Sequence, residues 1–456
     1  MPLCLGGTEV GAFSLADPRT ASRGAWLFDR IVASGSLVLR ELGETRAGEV
    51  AAHRYLSSPY VTADGIIAAL SERTRLACAG RRVVAAQDTT EINFSGRSAA
   101  RRGLGPGGDG KNPGFFIHPV VAVDADEEAV LGLAAARIWT RASDKVSHRH
   151  GRAVDDKESA RWLDGTRAAA EALDQAAQVI GVADREGDVW SHFAHRPKTI
   201  DLAIRARHDR PLDGGTSLFK VFAGQPPLIV TPVKVAPRGP GDKGRIATVA
   251  LRCGPVRITR PATAARTDPT VLELGLVEAI EQDAPGGVKP LLWRIVTTLP
   301  VGGADDAREV VRLYRLRWRI EEVFRALKRD GLALEETQVQ DGKRLFHLAA
   351  LALGAAVRII QLVDARDGGK RPMSDVLDPQ LQSAVAILVQ SREGATAKQK
   401  NPHPAGSLAW LSWVVARYGG WNCYYKPPGP KTIAKGWERF AATISGIIIA
   451  TDAALP

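Results

Sequence analysis

The stretch Tyr314-Arg315-Leu316-Arg317-Trp318-Arg319-Ile320-Glu321-Glu322, with Lys328 a little further on, decides how this chain is read. Around it Val310, Leu313, Leu316, Ile320, Val323 and Leu327 recur at threes and fours, which predicts a helix with one buried face. Asp306 with Glu309 has the form of a capping box and Gly331 of a C-terminal stop, so one long helix is expected over 306–330. At about 100° per residue, Tyr314, Arg317, Glu321 and Lys328 share one stripe beside the apolar face, and Arg325 joins the row. Glu322 falls about 100° round from Glu321, which makes Glu321 the better metal-ligand candidate. A Tyr, an Arg, a carboxylate and a Lys in line suit a phosphodiester backbone and a metal. Taken alone, however, the same pattern describes a solvated helix with i,i+4 pairs such as Arg317 with Glu321.

Two acids upstream change that balance. Asp88 follows the apolar run from Val83 to Gln87, and Asp184 follows the run from Val179 to Ala183. Each stands at the C-terminal end of an expected strand, the edge of an α/β sheet where ligands collect. Carboxylates gathered there are stable together mainly when a cation offsets their repulsion. Asp88, Asp184 and Glu321 are therefore the candidate ligands for two magnesium ions, the arrangement that activates water or a 3′-hydroxyl in phosphodiester chemistry.

The rest of the chain bounds this reading. Its 456 residues, 45% hydrophobic, are enough for several packed units, and a formal charge of +11 favours a polyanionic partner. Four scattered cysteines indicate neither a disulfide framework nor a zinc site, and suit a reducing cytoplasm. The longest apolar run, Leu348 to Val357, is half a membrane span, so a protein that is neither membrane-bound nor exported is expected. Residues 1–75 predict short helices (Ala25 to Leu42, Val50 to Leu56, Thr62 to Leu76) carrying Arg19, Arg23, Arg30, Arg40, Arg46, His53 and Arg54. Residues 76–370 predict a mixed α/β unit, with strands at Val83 to Gln87, Phe115 to Val123 and Val130 to Trp139, then a helix from about Asp156 to Ala176 and alternating strands and helices. Gly/Pro-rich turns within 208–292 suggest an all-β insertion, and 371–456 a helical tail rich in Trp. Gly105 to Asn112 imitates a phosphate-binding loop but leads into a strand, and reads as a hairpin loop. His148-Arg149-His150 lacks the further ligands a zinc site needs.

At this point the residues resemble a known family, the bacterial DDE transposases of the insertion-sequence-four family, especially its transposon-five-like branch. The family's Y-x2-R-x3-E-x6-K (YREK) pattern is met by Tyr314, Arg317, Glu321 and Lys328. Its D-T-T context is matched by Gln87-Asp88-Thr89-Thr90 and its D-R-E-x-D context by Asp184-Arg185-Glu186-Gly187-Asp188. Asp17-Pro18-Arg19 and Tyr55 to Ile66 look like its N-terminal end-binding domain; Gly406 to Gly420 and Gly436-Trp437-Glu438 look like its C-terminal helices. The resemblance implies an RNase H-like mixed-sheet core, α/β in class, with an inserted all-β subdomain and flanking helical domains. It further implies a metal-dependent cut-and-paste enzyme using Mg2+, with Mn2+ as substitute. Such an enzyme binds inverted terminal repeats as a homodimer, passes through a hairpin intermediate and joins 3′ ends to target DNA in the bacterial cytoplasm, at the nucleoid. Arg205 and Arg207 resemble family residues that contact end DNA, and Trp293 one that stacks on a flipped base. The loop from Phe94 to Pro113 departs from the pattern, so end-sequence specificity does not transfer. A non-catalytic end-binding protein and an RNase H-like nuclease are the competing readings.

Overall fold

Side-chain caps set the first helices in place. The computed structural model describes residues 17–94, 103–108, 110–141, 159–235, 244–329 and 331–453. Asp17 accepts from the N–H groups of Arg19 and Thr20 ahead of Pro18, and so opens helix α1 (Pro18–Ser34). Gly35, at φ 64°, ends it in the left-handed region. The single helix expected from Ala25 to Leu42 is therefore two, the second being α2 (Leu39–Gly43). Then follow α3 (Arg46–Ser57) and α4 (Ala63–Cys78), the latter capped by Thr62 through Gly65 N–H at 3.0 Å.

The sheet begins with β1 (Arg82–Gln87), β2 (Thr90–Asn93), β3 (Gly114–Asp124) and β4 (Val130–Trp139). After helix α5 (Ala160–Ala172) come β5 (Gln178–Ala183), α6 (Trp190–Ala194) and β6 (Ile200–Arg205). β3 runs antiparallel to β1 and to β4, whereas β5 runs parallel to β1 and to β6. The order β4-β3-β1-β5-β6 is a mixed sheet with helices, consistent with the RNase H-like core that the resemblance implies. Both faces are covered, and alternate residues serve different cores. Val84, Ala86, Ile180 and Val182 face one, while Val83, Ala85, Val179 and Ala183 face the other. That double burial is why these strands read as unbroken apolar runs.

The expected β insertion is not a separate unit. β7 (Ile229–Val235), β8 (Arg245–Thr259) and β9 (Val271–Gln282) form an antiparallel run, and β10 (Leu292–Thr297) bonds to both β9 and β6. All three strands thus prolong the same ten-stranded sheet. Of the two Gly/Pro-rich turns, that from Arg210 to Gly215 is bridged to β8 through Leu212 and Ile258, and that from Pro237 to Gly244 lies, up to Gly244, outside the described residues. The loop Gly105 to Asn112 closes as a hairpin, with Gly107 N–H donating to Asn112 O at 2.8 Å. Asp109, the rest of that loop from 95 to 102, His148-Arg149-His150 and the expected helix start at Asp156 lie outside the described residues.

Two further helices, α7 (Ala304–Arg315) and α8 (Trp318–Lys328), cross one face of the sheet and lead to α9 (Gly342–Ala365). The chain closes with α10 (Gln382–Arg392), α11 (Leu408–Tyr418) and α12 (Pro430–Ala453). α9 is long and apolar enough to cross a membrane, yet it is buried almost all round by the other helices and β4. Its polar side chains are satisfied inside the fold: His347 bonds to Leu56 O, Arg358 to Val376 O and Gln361 to Leu131 O. A Cβ on Gly354 would lie 2.7 Å from Leu70 and 3.0 Å from Phe28, so α1 and α4 seat directly on its backbone.

Candidate active site

Register brings the two strand-end acids together. Ala86 of β1 pairs with Val182 of β5, and continuing two places sets Asp88 beside Asp184. β1 and β2 pair with the same edge of β3, and between their ladders Asp88 and Thr89 stand opposite Pro119 and His118. Pro119 has no N–H to give, which suits a break in the ladder at the point where Asp88 must turn away from the sheet. Asp184 ends β5 by capping a one-turn 3₁₀ helix, accepting from Glu186 N–H at 2.8 Å.

Glu321 arrives from the third element, whose form differs from expectation. The helix predicted over 306–330 is broken into α7 and α8, and Asp330 lies outside the described residues. Around Arg317 the backbone bonds close three residues back rather than four: Leu316 to Leu313, Arg317 to Tyr314, Arg319 to Leu316 and Ile320 to Arg317, all at 3.0 to 3.1 Å. This short 3₁₀ segment keeps right-handed dihedrals and the apolar face, so periodicity alone does not reveal it. The expected capping box is also displaced. Asp306 is the third helical residue and accepts from Gly302 and Gly303 N–H, while Glu309 pairs with Arg312 and Arg82.

Arg317 joins the acids. Its Nη1 donates to Asp88 Oδ2 at 2.7 Å and lies 3.4 Å from Glu321 Oε1. The other Asp88 oxygen accepts from Thr89 N–H at 2.8 Å. Asp88 is mostly buried, and burial pushes its carboxyl up to about 7; Arg317 works against that rise, while nearby Asp184 and Glu321 add to it. Burial opposes the Arg317 charge as well, yet Tyr314, Asp88, Glu321 and Asp184 together hold its guanidinium above the ordinary value. Three acids far apart in the sequence, at positions 88, 184 and 321, therefore act on one cation. Glu322 turns the other way, bonding Arg319 at 2.9 Å, and Arg319 in turn pairs with buried Asp364.

The remaining sequence candidates spread outward from this centre. Tyr314 is buried, its ring edge-on to Trp293 at 5.6 Å, and its hydroxyl faces Arg317 and Arg205. Arg205 also donates to Leu292 O. Lys328 sits two turns along α8 from Glu321, 3.5 Å from Glu335, whose carboxylate also accepts from Asn93 N–H. Arg325 and Arg207 are exposed, and Trp293 is half-buried. Asp188 is a clamp: it accepts from Arg207 and His208 N–H at 2.7 and 3.1 Å and pairs with Arg210, fixing the turn after β6.

Sequence reasoning missed a row of polar residues behind the acids: Arg161, Thr89, His118, Gln87, Thr166 and His192. The available signal was Gln87 and Thr89 flanking Asp88, polar residues set where a buried strand should be apolar. Gly187 belongs to the same region. A Cβ there would lie 2.6 Å from Ala183 Cβ and 3.3 Å from the Trp162 ring, so only glycine fits.

Among the described residues, no three His, Cys, Asp or Glu side chains stand close enough to hold an ion as they are arranged. The residue types nonetheless suit one, because hard carboxylate oxygens favour divalent cations and Asp88 lies close enough to Asp184 and Glu321 for both to raise its carboxyl. A family model described as the transposase DDE domain matches residues 144–358, somewhat under half of the chain. The match spans Asp184 and Glu321 and begins downstream of Asp88. It supports a DDE transposase, an enzyme acting on DNA.

Proposed function

We propose that this chain is a cut-and-paste DNA transposase in which Asp88, Asp184 and Glu321 hold two divalent ions, Mg2+ with Mn2+ able to substitute. It binds the inverted terminal repeats of its element as a homodimer, cleaves at the ends through a hairpin intermediate and joins the 3′ ends to target DNA. Bound ions would supply an activated water or 3′-hydroxyl and a counter-charge for the leaving oxygen. The chain's own residues orient the DNA. Arg317, once it lets go of Asp88, and Lys328, once it lets go of Glu335, grip phosphates around the scissile end, and Tyr314 hydrogen-bonds there. Arg205, Arg207 and Arg325 extend the basic surface, and a flipped base stacks on Trp293, worth about 1–3 kcal/mol. The net charge of +11 supports a polyanionic substrate.

The observation that carries this reading is the one Arg317 nitrogen shared by Asp88 and Glu321, with Asp184 beside them. Glu321→Ala tests it: end binding in a gel shift is retained, while cleavage in Mg2+ is lost. Cleavage by Glu321→Ala together with loss in Glu322→Ala would sink the assignment.

A further inference from the structure

A continuous row of hydrogen bonds runs behind the two aspartates, from one acid-bearing loop to the other. Arg161 Nε donates to Thr89 Oγ1 at 2.9 Å, and Thr89 Oγ1 meets His118 Nδ1 at 2.9 Å. His118 Nε2 meets Gln87 Oε1 at 3.2 Å, and Gln87 Nε2 donates to Thr166 Oγ1 at 2.7 Å. Thr166 Oγ1 meets His192 Nε2 at 2.7 Å, and His192 Nδ1 meets Gly187 O at 3.1 Å. His118, Gln87, Thr166 and His192 are all buried to within 1% of full burial. Thr89 directly follows Asp88, and Gly187 lies in the turn that Asp184 caps.

The Gly187 end, with both imidazoles neutral, fixes the direction of every link. The Gly187 carbonyl only accepts, so His192 must carry its proton on Nδ1 and offer Nε2 as an acceptor. Thr166 then donates to His192, although Trp162 O at 3.0 Å is its other available acceptor. Once it does, Gln87 must donate to Thr166 and accept from His118 Nε2. That leaves His118 Nδ1 to accept from the Thr89 hydroxyl, whose oxygen takes the Arg161 donor. The opposite arrangement would either set a bare Nδ1 against the Gly187 oxygen or place an imidazolium in a fully buried site. Burial holds both histidines below their ordinary values, hence neutral. Gly165 leaves the space the row needs: a Cβ there would lie 2.6 Å from Gln87 Oε1.

We infer that this one-directional row positions Asp88 and Asp184 for joint metal binding, with His118 as the Nε2–H tautomer, His192 as the Nδ1–H tautomer, and Thr166 as its central link. The inference rests on the two aspartates being metal ligands. Side chains of this kind, which orient ligands without touching the ion, typically change metal affinity about 10–100-fold when removed.

Two measurements on the full chain test it. Long-range proton–nitrogen spectra of the 15N-histidine-labelled protein, assigned with His118→Gln and His192→Gln, should show the two stated tautomers, both neutral at pH 7. The reverse tautomer at either histidine, or an imidazolium, overturns the proposal without any variant needing to fold. Mn2+ binding followed by electron paramagnetic resonance should weaken about tenfold or more in Thr166→Val, with recovery in Thr166→Ser. Equal Mn2+ affinity in wild type and a folded Thr166→Val also overturns it. Asp88→Asn and Asp184→Asn serve as the separate control: undiminished Mn2+ binding in both would sink the reading of the acids themselves, whatever the tautomers.

Discussion

The ends of β1 and β5 are the same place in the topology, yet they carry their acids in opposite ways. Asp88 is withdrawn from water and leans on Arg317, a cation brought from a distant helix. Asp184 is half-buried and takes its hydrogen bond from its own turn, two residues on. One acid is thus held by tertiary structure and the other by local structure. Adjacent parallel strands set the acids side by side, and burial decides which of them most needs positive charge.

The largest expected effect tests whether that difference matters to chemistry. Asp88→Asn and Asp184→Asn should each lower end cleavage by about a thousandfold or more, because in the proposed mechanism both acids hold the same ions. An activity above about a tenth of wild type in either variant would remove that acid from the shared site. Next comes the local side of the contrast: Gly187→Ala should cost about 1–3 kcal/mol in urea unfolding, since its Cβ collides with Ala183. No loss there would mean that the β5 turn is loosely packed.

The burial of Asp88 also has a pH signature. The Asp88 carboxyl is raised in the fold, to about 7, against 3.8 as its ordinary value. Between those values the folded protein holds the proton and the unfolded chain does not, so metal-free stability should fall as pH rises through that window. Asp88→Asn should therefore gain on the order of 1–2 kcal/mol at pH 8 and nothing near pH 4, as read from urea melts without divalent ions. An equal gain at both pH values would show that charge is not the cause. The smallest effect is expected at Glu322→Ala, whose partly exposed pairing with Arg319 is worth about 0.5 kcal/mol or less, with cleavage unchanged.

How much of this was legible beforehand follows the same local and tertiary division. The strands before Asp88 and Asp184 and the apolar face of 310–327 were readable because burial on a sheet or helix leaves a period in the sequence. That Glu321 shares a face with Arg317, whereas Glu322 does not, follows from that period as well. What left no period was not readable. The break at Arg317 preserves the apolar spacing, and the continuity of β7, β8 and β9 with the main sheet depends on β10 pairing with β6, a contact between distant segments. Arg317 as the partner of Asp88, and the row through His118 and His192, likewise join residues that are separated widely in sequence.

The seating of α1 and α4 on the backbone of α9 has a consequence for how the protein is made. α4 also packs on β4, but the part of their apolar faces that α9 covers, around Phe28 and Leu70, stays open until Gly354 and its neighbours leave the ribosome. At about 5–20 residues per second, that leaves the first four helices waiting roughly 15–60 s with a sticky surface uncovered. Translation speed and chaperone supply, rather than final stability alone, should then govern how much functional protein a cell obtains from each message.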